Sequence, residues 1–159
     1  MMRIALIDSC TLTYVGLKHL FSLTHRPDSI TFNQISAEDA LDRKHGNYDI
    51  YIIEPGEVSF EFNIDKFIYN LKSMLQVNCK CVILSDNVIV NSRLADFHLC
   101  KEHSFSKIFF FFDSLLTAKY DAIRPFVEDY LLTKNEAIVL RCLSKDPTMR
   151  NIEKITSIP

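Results

Sequence analysis

Arg3-Ile4-Ala5-Leu6-Ile7-Asp8 is an unbroken apolar run ended by an acid, and its reading decides the fold class. A strand wetted on one face alternates apolar with polar residues. A continuous run is what a parallel strand shows when helices cover both of its faces. The pattern returns in Asp49–Glu54, where Ile50-Tyr51-Ile52-Ile53 stops at a Pro55-Gly56 turn, and in Cys79–Ser85, where Val82-Ile83-Leu84 ends on a hydroxyl. Ser29–Ile35 and the aromatic stretch Lys107–Phe112 are the two remaining strand candidates.

Helical periodicity fills the gaps. Thr11–Thr24 places Leu12, Val15, Leu20 and Leu23 near helical spacing, and Ala37–His45 is closed by Gly46, a C-terminal stop. Ile64–Leu75, Val88–Cys100 and Ser114–Val127 complete the series. Five strands, each followed by a helix, predict an α/β protein with right-handed crossovers. The expected fold is a flavodoxin-like, doubly wound five-stranded parallel sheet of order 2-1-3-4-5, with a short C-terminal helical segment behind it. Functional residues in such a sheet gather beyond the carboxyl ends of the strands.

Composition agrees with a soluble globular chain: 159 residues, 48% hydrophobic, 24% charged. At this length roughly two-thirds of the unfolded surface is buried on folding. The formal net charge is -2, unevenly spread. Residues 131–159 hold five basic against three acidic residues, which leaves 13 against 17 in residues 1–130. An acidic body with a basic end suits a regulatory domain joined to a nucleic-acid-binding one. Five cysteines (Cys10, Cys79, Cys81, Cys100 and Cys142) show no paired metal spacing and read as free thiols in a reducing cytoplasm. The short apolar run at the N-terminus, ended by an acid, is not that of a signal peptide, and Ile108–Phe112 is too short to span a bilayer. No membrane association and a cytoplasmic location are expected.

The last thirty residues differ in pattern. Thr133 and Glu136 form a capping box ahead of an apolar face made by Ala137, Leu140 and Leu143 with Val139. Asp146-Pro147 ends that helix and another can start near Thr148, which is the opening of a helix-turn-helix unit. The expected organisation is a domain over residues 1–127 and a linker with the first helices of an incomplete helix-turn-helix domain over 128–159.

Several motifs carry a resemblance. Leu6-Ile7-Asp8-Ser9 with Gly16-Leu17 resembles the first strand and helix of response-regulator receiver domains. Tyr48–Gly56 resembles their third strand and phospho-acceptor turn, and Val82-Ile83-Leu84-Ser85 their fourth strand. Leu132-Thr133-Lys134-Asn135-Glu136-Ala137-Ile138-Val139-Leu140 is similar to the first helix of the LuxR/FixJ (NarL)-type DNA-binding domain, and Thr148–Ile155 to its second. Together these resemble the LuxR/FixJ architecture, and Met2–Leu20 is similar to the opening of the auxiliary regulators of the Rcs capsule and BglJ kind. In that family two acids after strand one bind Mg²⁺, an Asp after strand three accepts phosphate, and a Ser/Thr and a Lys contact the phosphoryl group.

Carried onto this chain, the resemblance implies a degenerate receiver pocket. Asp8 is kept, Ser9 replaces the second acid, Glu54 stands at the acceptor position, Ser85 supplies the hydroxyl, and Phe111 falls where Lys is expected. Asp8 facing Glu54 without a metal implies mutual repulsion. The Phe109–Phe112 rings read mainly as core filling, with one or two at a surface that resembles the dimerisation face of receivers. The resemblance further implies a phosphorylation-independent regulator that pairs with itself or with another response regulator. Its DNA contacts would come through a C-terminal domain mostly absent from this chain, whose recognition helix would begin at Pro159. Arg150 and Lys154 would make phosphate contacts alone.

The alternative is a short form that sequesters a partner regulator without reading DNA. A carboxylate-pair enzyme built on Asp8 and Glu54 ranks below both, since no nucleophile or cofactor loop accompanies them. With three glycines and no HExxH motif, neither a cofactor nor a metal is expected. His98 and His103 read as solvated helix-end residues.

Overall fold

The computed structural model describes residues 1–24, 27–42, 47–58, 64–75, 79–86 and 92–118. Five strands, β1 (Met2–Ile7), β2 (Ile30–Gln34), β3 (Ile50–Ile53), β4 (Lys80–Ser85) and β5 (Phe97–Cys100), form one sheet of order β2-β1-β3-β4-β5. Every neighbouring pair is parallel, with Ile4 opposite both Phe32 and Ile50, Ile52 opposite Val82, and Leu84 opposite Leu99. The helices are α1 (Thr11–Ser22), α2 (Ala37–Leu41), α3 (Ile64–Leu75) and α4 (Phe105–Leu116). This is the expected doubly wound fold.

Alternation along the strands sorts the core into two layers. Ile4, Leu6, Ile50, Ile52, Val82, Leu84, Phe97 and Leu99 point to the face covered by Leu17, Leu20 and Phe21 of α1 and by Phe111, Phe112 and Leu115 of α4. Ala5, Ile7, Tyr51, Ile53, Cys81 and Ile83 point to the other face, under Phe67, Ile68 and Leu71 of α3 and Ala40 of α2. Both faces are covered, which is why the central strands read as continuous apolar runs.

The second half of the chain departs from expectation. The fifth strand is Phe97–Cys100, inside the stretch expected to be a helix over Val88–Cys100, while Lys107–Phe112 is helical. Residues 92–96 have no regular structure, and 88–91 lie outside the described residues. Ser104 decides the matter locally: its hydroxyl accepts the Lys107 amide at 3.4 Å and caps a helix. The aromatic run then obeys a helical period. Phe111, Phe112 and Leu115 are buried while Phe110 is 49% exposed, and Phe112 meets Phe21 edge-on at 5.3 Å. Aromatic residues favour strands only where a half-buried sheet surface receives them, and here packing against α1 and β5 overrides that preference. The helix expected over Ser114–Val127 is thus the tail of α4 up to Leu116, and residues 119–159, including the whole C-terminal segment, lie outside the described residues.

These assignments set a contrast within one aromatic run. Phe111→Ala is expected to cost about 3–5 kcal/mol by removing a fully buried ring, whereas Phe110→Ala is expected to change stability by under about 1 kcal/mol. Urea denaturation of the two variants checks it, and equal losses would contradict the helical period.

Candidate functional site: an ion bridge at the strand ends

The register brings the carboxyl ends of β1, β3, β4 and β5 together. Glu54 donates its amide to the Ile7 carbonyl at 2.9 Å, and Lys101 donates its own to the Ser85 carbonyl at 2.9 Å. Asp8 and Ser9 follow β1, Glu54 follows β3, Ser85 closes β4, and Lys101 follows β5. Four residues expected at this pocket, Asp8, Ser9, Glu54 and Ser85, are therefore neighbours in space.

The fifth is not. Phe111 is fully buried in α4, in edge-on contact with Phe97 at 5.6 Å, and takes no part in the pocket. The position at the end of β5 belongs to Lys101, because that strand lies ten residues earlier than expected. Its Nζ sits 2.8 Å from Glu54 Oε2, 3.1 Å from Asp8 Oδ2 and 3.9 Å from Asp86 Oδ1. The sequence held a signal for it: Lys101 precedes the capping Ser104 by three residues, as a strand-end residue before a helix would.

The remaining atoms are also engaged. Asp8 Oδ1 accepts the Cys10 amide at 2.7 Å, and Gln34 donates its side-chain amide to the Asp8 carbonyl at 2.5 Å. Glu54 Oε1 accepts the Gly56 amide at 3.3 Å and so caps the short turn Pro55–Glu57. Ser9 donates its hydroxyl to Glu57 at 2.5 Å. The oxygens facing Lys101, Asp8 Oδ2 and Glu54 Oε2, are buried and have no other partner among the described residues, so the ammonium alone compensates them. Burial acts to lower the Lys101 pKa, but the hydrogen bonds and charges of Glu54 and Asp8 outweigh it and raise it, so the lysine is charged throughout the physiological range. The expected repulsion between Asp8 and Glu54 is thus replaced by a shared cation.

The magnesium site implied by the receiver resemblance does not fit these residues. The second acid is Ser9, whose hydroxyl is donated to Glu57, and the inward carboxylate oxygens already face Lys101. Among the described residues no group of three or more His, Cys, Asp or Glu side chains is placed to hold a metal ion. A neighbouring cleft is lined by Asp8, Glu38, Asp39 and Glu57, which makes it acidic. On the other side of the sheet, α1 and α4 leave between them a cavity of about 390 Å³ lined by Thr13, Gly16, Leu20, Leu84, Phe105 and Ile108. Arg150 and Lys154 lie outside the described residues.

No protein-family model matches the chain, and no curated protein does. Solved structures do. The two-component response regulator RcsB in its DNA complex aligns with a TM-score of 0.61 at 12% identity, over 99% of this chain and 84% of that one. RcsB from Salmonella enterica serovar Typhimurium, bound to promoter rprA in the presence of phosphomimetic BeF3-, aligns at 0.63 and 11%, over 100% and 85%. Two RcsB dimers bound to two parallel DNAs align at 0.61 and 11%, over 99% and 84%. The fold is that of a response-regulator receiver. At such identities the likeness is one of fold. Among the described residues no helix is long and apolar enough to cross a membrane.

Removing the shared cation should expose its role. Lys101→Met is expected to destabilise the chain by about 3–5 kcal/mol, toward the lower figure because the lysine is partly solvated, since two buried carboxylates are left facing each other. Adding Glu54→Gln is expected to restore part of that loss. Thermal or urea unfolding of the single and double variants measures the coupling, and additive effects would contradict the bridge.

Proposed function

We propose that this chain is a phosphorylation-independent transcription regulator of the LuxR/FixJ type, whose receiver-like domain works by pairing with a second regulator, either another copy or a heterologous response regulator. The observation that carries the reading is the Lys101 ammonium held between Glu54 and Asp8 at 2.8 and 3.1 Å. A phosphoryl donor arriving here meets a lysine already neutralised and an acidic cleft, with Ser9 in place of a metal-binding acid. Glu54 instead presents its own carboxylate to Lys101, the arrangement a phosphorylated acceptor would create. The ion pair stands in for the modification. No catalytic role is assigned to the pocket.

The pairing surface favoured by this reading is the α1–α4 face. Leu12 and Val15 of α1 are 82% and 55% exposed, and Phe105 of α4, which lines the cavity with Gly16, is 55% exposed. Large apolar side chains left exposed on helices are what interaction surfaces present. DNA contact belongs, in this reading, to the C-terminal segment, and the regulator acts in the cytoplasm.

Two measurements test the proposal. Beryllofluoride with Mg²⁺, or a small-molecule phosphodonor, is expected to leave the mass and the amide spectrum of the chain unchanged; a stable adduct on Glu54 would sink the reading. The doubly substituted Leu12→Asp/Phe105→Asp chain is expected to lose at least tenfold in self- or partner affinity by analytical ultracentrifugation. Both positions lie in the first turn of a helix, where an added carboxylate suits the dipole, so folding should survive.

A further inference from the structure

The crossover from β4 to β5 spans residues 86–96, and its described residues, 86 and 92–96, have no regular structure. Residues 92–96 are fastened at Ser92 and at Asp96. The first, Ser92, is itself only 1% exposed. The Ser92 hydroxyl donates to Asp65 Oδ1 of α3 at 2.5 Å and accepts the amides of Leu94 and Ala95, each at 3.2 Å. Its amide donates to Nε2 of His98, in β5, at 3.2 Å. The second is Asp96, which accepts the Cys81 amide at 2.9 Å and pairs with Lys72 at 2.9 Å and Lys80 at 3.1 Å.

His98 is not the solvated residue its sequence context suggested. It is 9% exposed, on the opposite side of β5 from Phe97 and Leu99, and its register partner on β4 is Ile83. An Nε2 that accepts a hydrogen bond belongs to a neutral ring with its proton on Nδ1. Protonation would turn that acceptor into a donor aimed at the Ser92 N–H.

We propose that His98 is a proton sensor for the β4–β5 crossover: its protonation releases the Ser92 fastener from β5 while the Asp96 fastener holds. Burial lowers the His98 pKa below its ordinary 6.5, and among the described residues the charge of Asp65 on α3, partly occupied by the Ser92 hydroxyl, opposes this. A histidine with a depressed folded pKa contributes stability that is present above about 6.5 and is lost as pH falls below that value toward the folded pKa. Asp96 responds elsewhere on the scale. Burial acts to raise its pKa, yet the Cys81 amide and the two lysines lower it overall, so its contribution fails only below the usual carboxylate range. Mild acid therefore opens one fastener and spares the other.

Hydrogen exchange on the full chain, corrected for the intrinsic pH dependence, tests this. Between pH 7.5 and 5.5 the protection of the Ser92, Leu94 and Ala95 amides is expected to fall by up to about tenfold, with the Cys81 amide unchanged. Equal protection at both pH values would overturn the proposal. His98→Gln keeps an acceptor that does not titrate, so its protection should be independent of pH, and a persisting pH response in that variant would place the proton elsewhere. Should the variant not fold, the imidazole titration of His98 in the unsubstituted chain decides: a midpoint below 6.5 supports the sensor, and one at or above 6.5 defeats it.

Discussion

One ammonium group organises the functional end of this sheet. Lys101 meets Asp8 from β1 and Glu54 from β3, so a single cation links the ends of three strands that are distant in sequence. Charges this buried seldom add much net stability, because desolvation consumes most of the attraction. Their importance is conditional. Once two carboxylates are confined there, the lysine cannot be removed or moved without leaving uncompensated charge, and that holds the β5–α4 junction to one place.

The aromatic packing of α4 supports the same junction from the other side. Phe111 and Phe112 lie edge-on to one another and to Phe97 and Phe21, which anchors the helix that begins four residues after Lys101. Ser104 caps that helix, so the chain between β5 and α4 has little freedom. The pocket is therefore set by hydrophobic packing behind it and closed by charge within it.

The crossover to β5 follows a different logic. Where an apolar helix face would normally cover a sheet edge, the described part of this segment relies on polar fasteners at Ser92 and Asp96. Hydrogen bonds and ion pairs respond to protonation in a way that buried apolar contacts do not. The fold thus combines a charge-paired pocket with a connection held, in its described part, by polar groups, one of them an imidazole.

Much of this was legible from residue order. Continuous apolar runs marked β1, β3 and β4, their terminal Asp8, Glu54 and Ser85 marked the pocket rim, and α3 was bounded at Ile64 and Leu75 by periodicity alone. Such signals are local: each depends on which faces of a strand or helix are covered. The fifth strand was hidden because it is four residues long and contains a buried histidine, while the phenylalanine run beside it carries the residue type strands favour. The Ser104 cap was a local hint that the run is a helix, but the assembled sheet showed which strand closes its edge, and so that Lys101 rather than Phe111 stands at the end of β5. Local sequence determined four of the five strands and four of the pocket's side chains, Asp8, Ser9, Glu54 and Ser85. Which cation would face them was decided by tertiary structure, because ion pairing depends on distances that exist only once strand order and register are set.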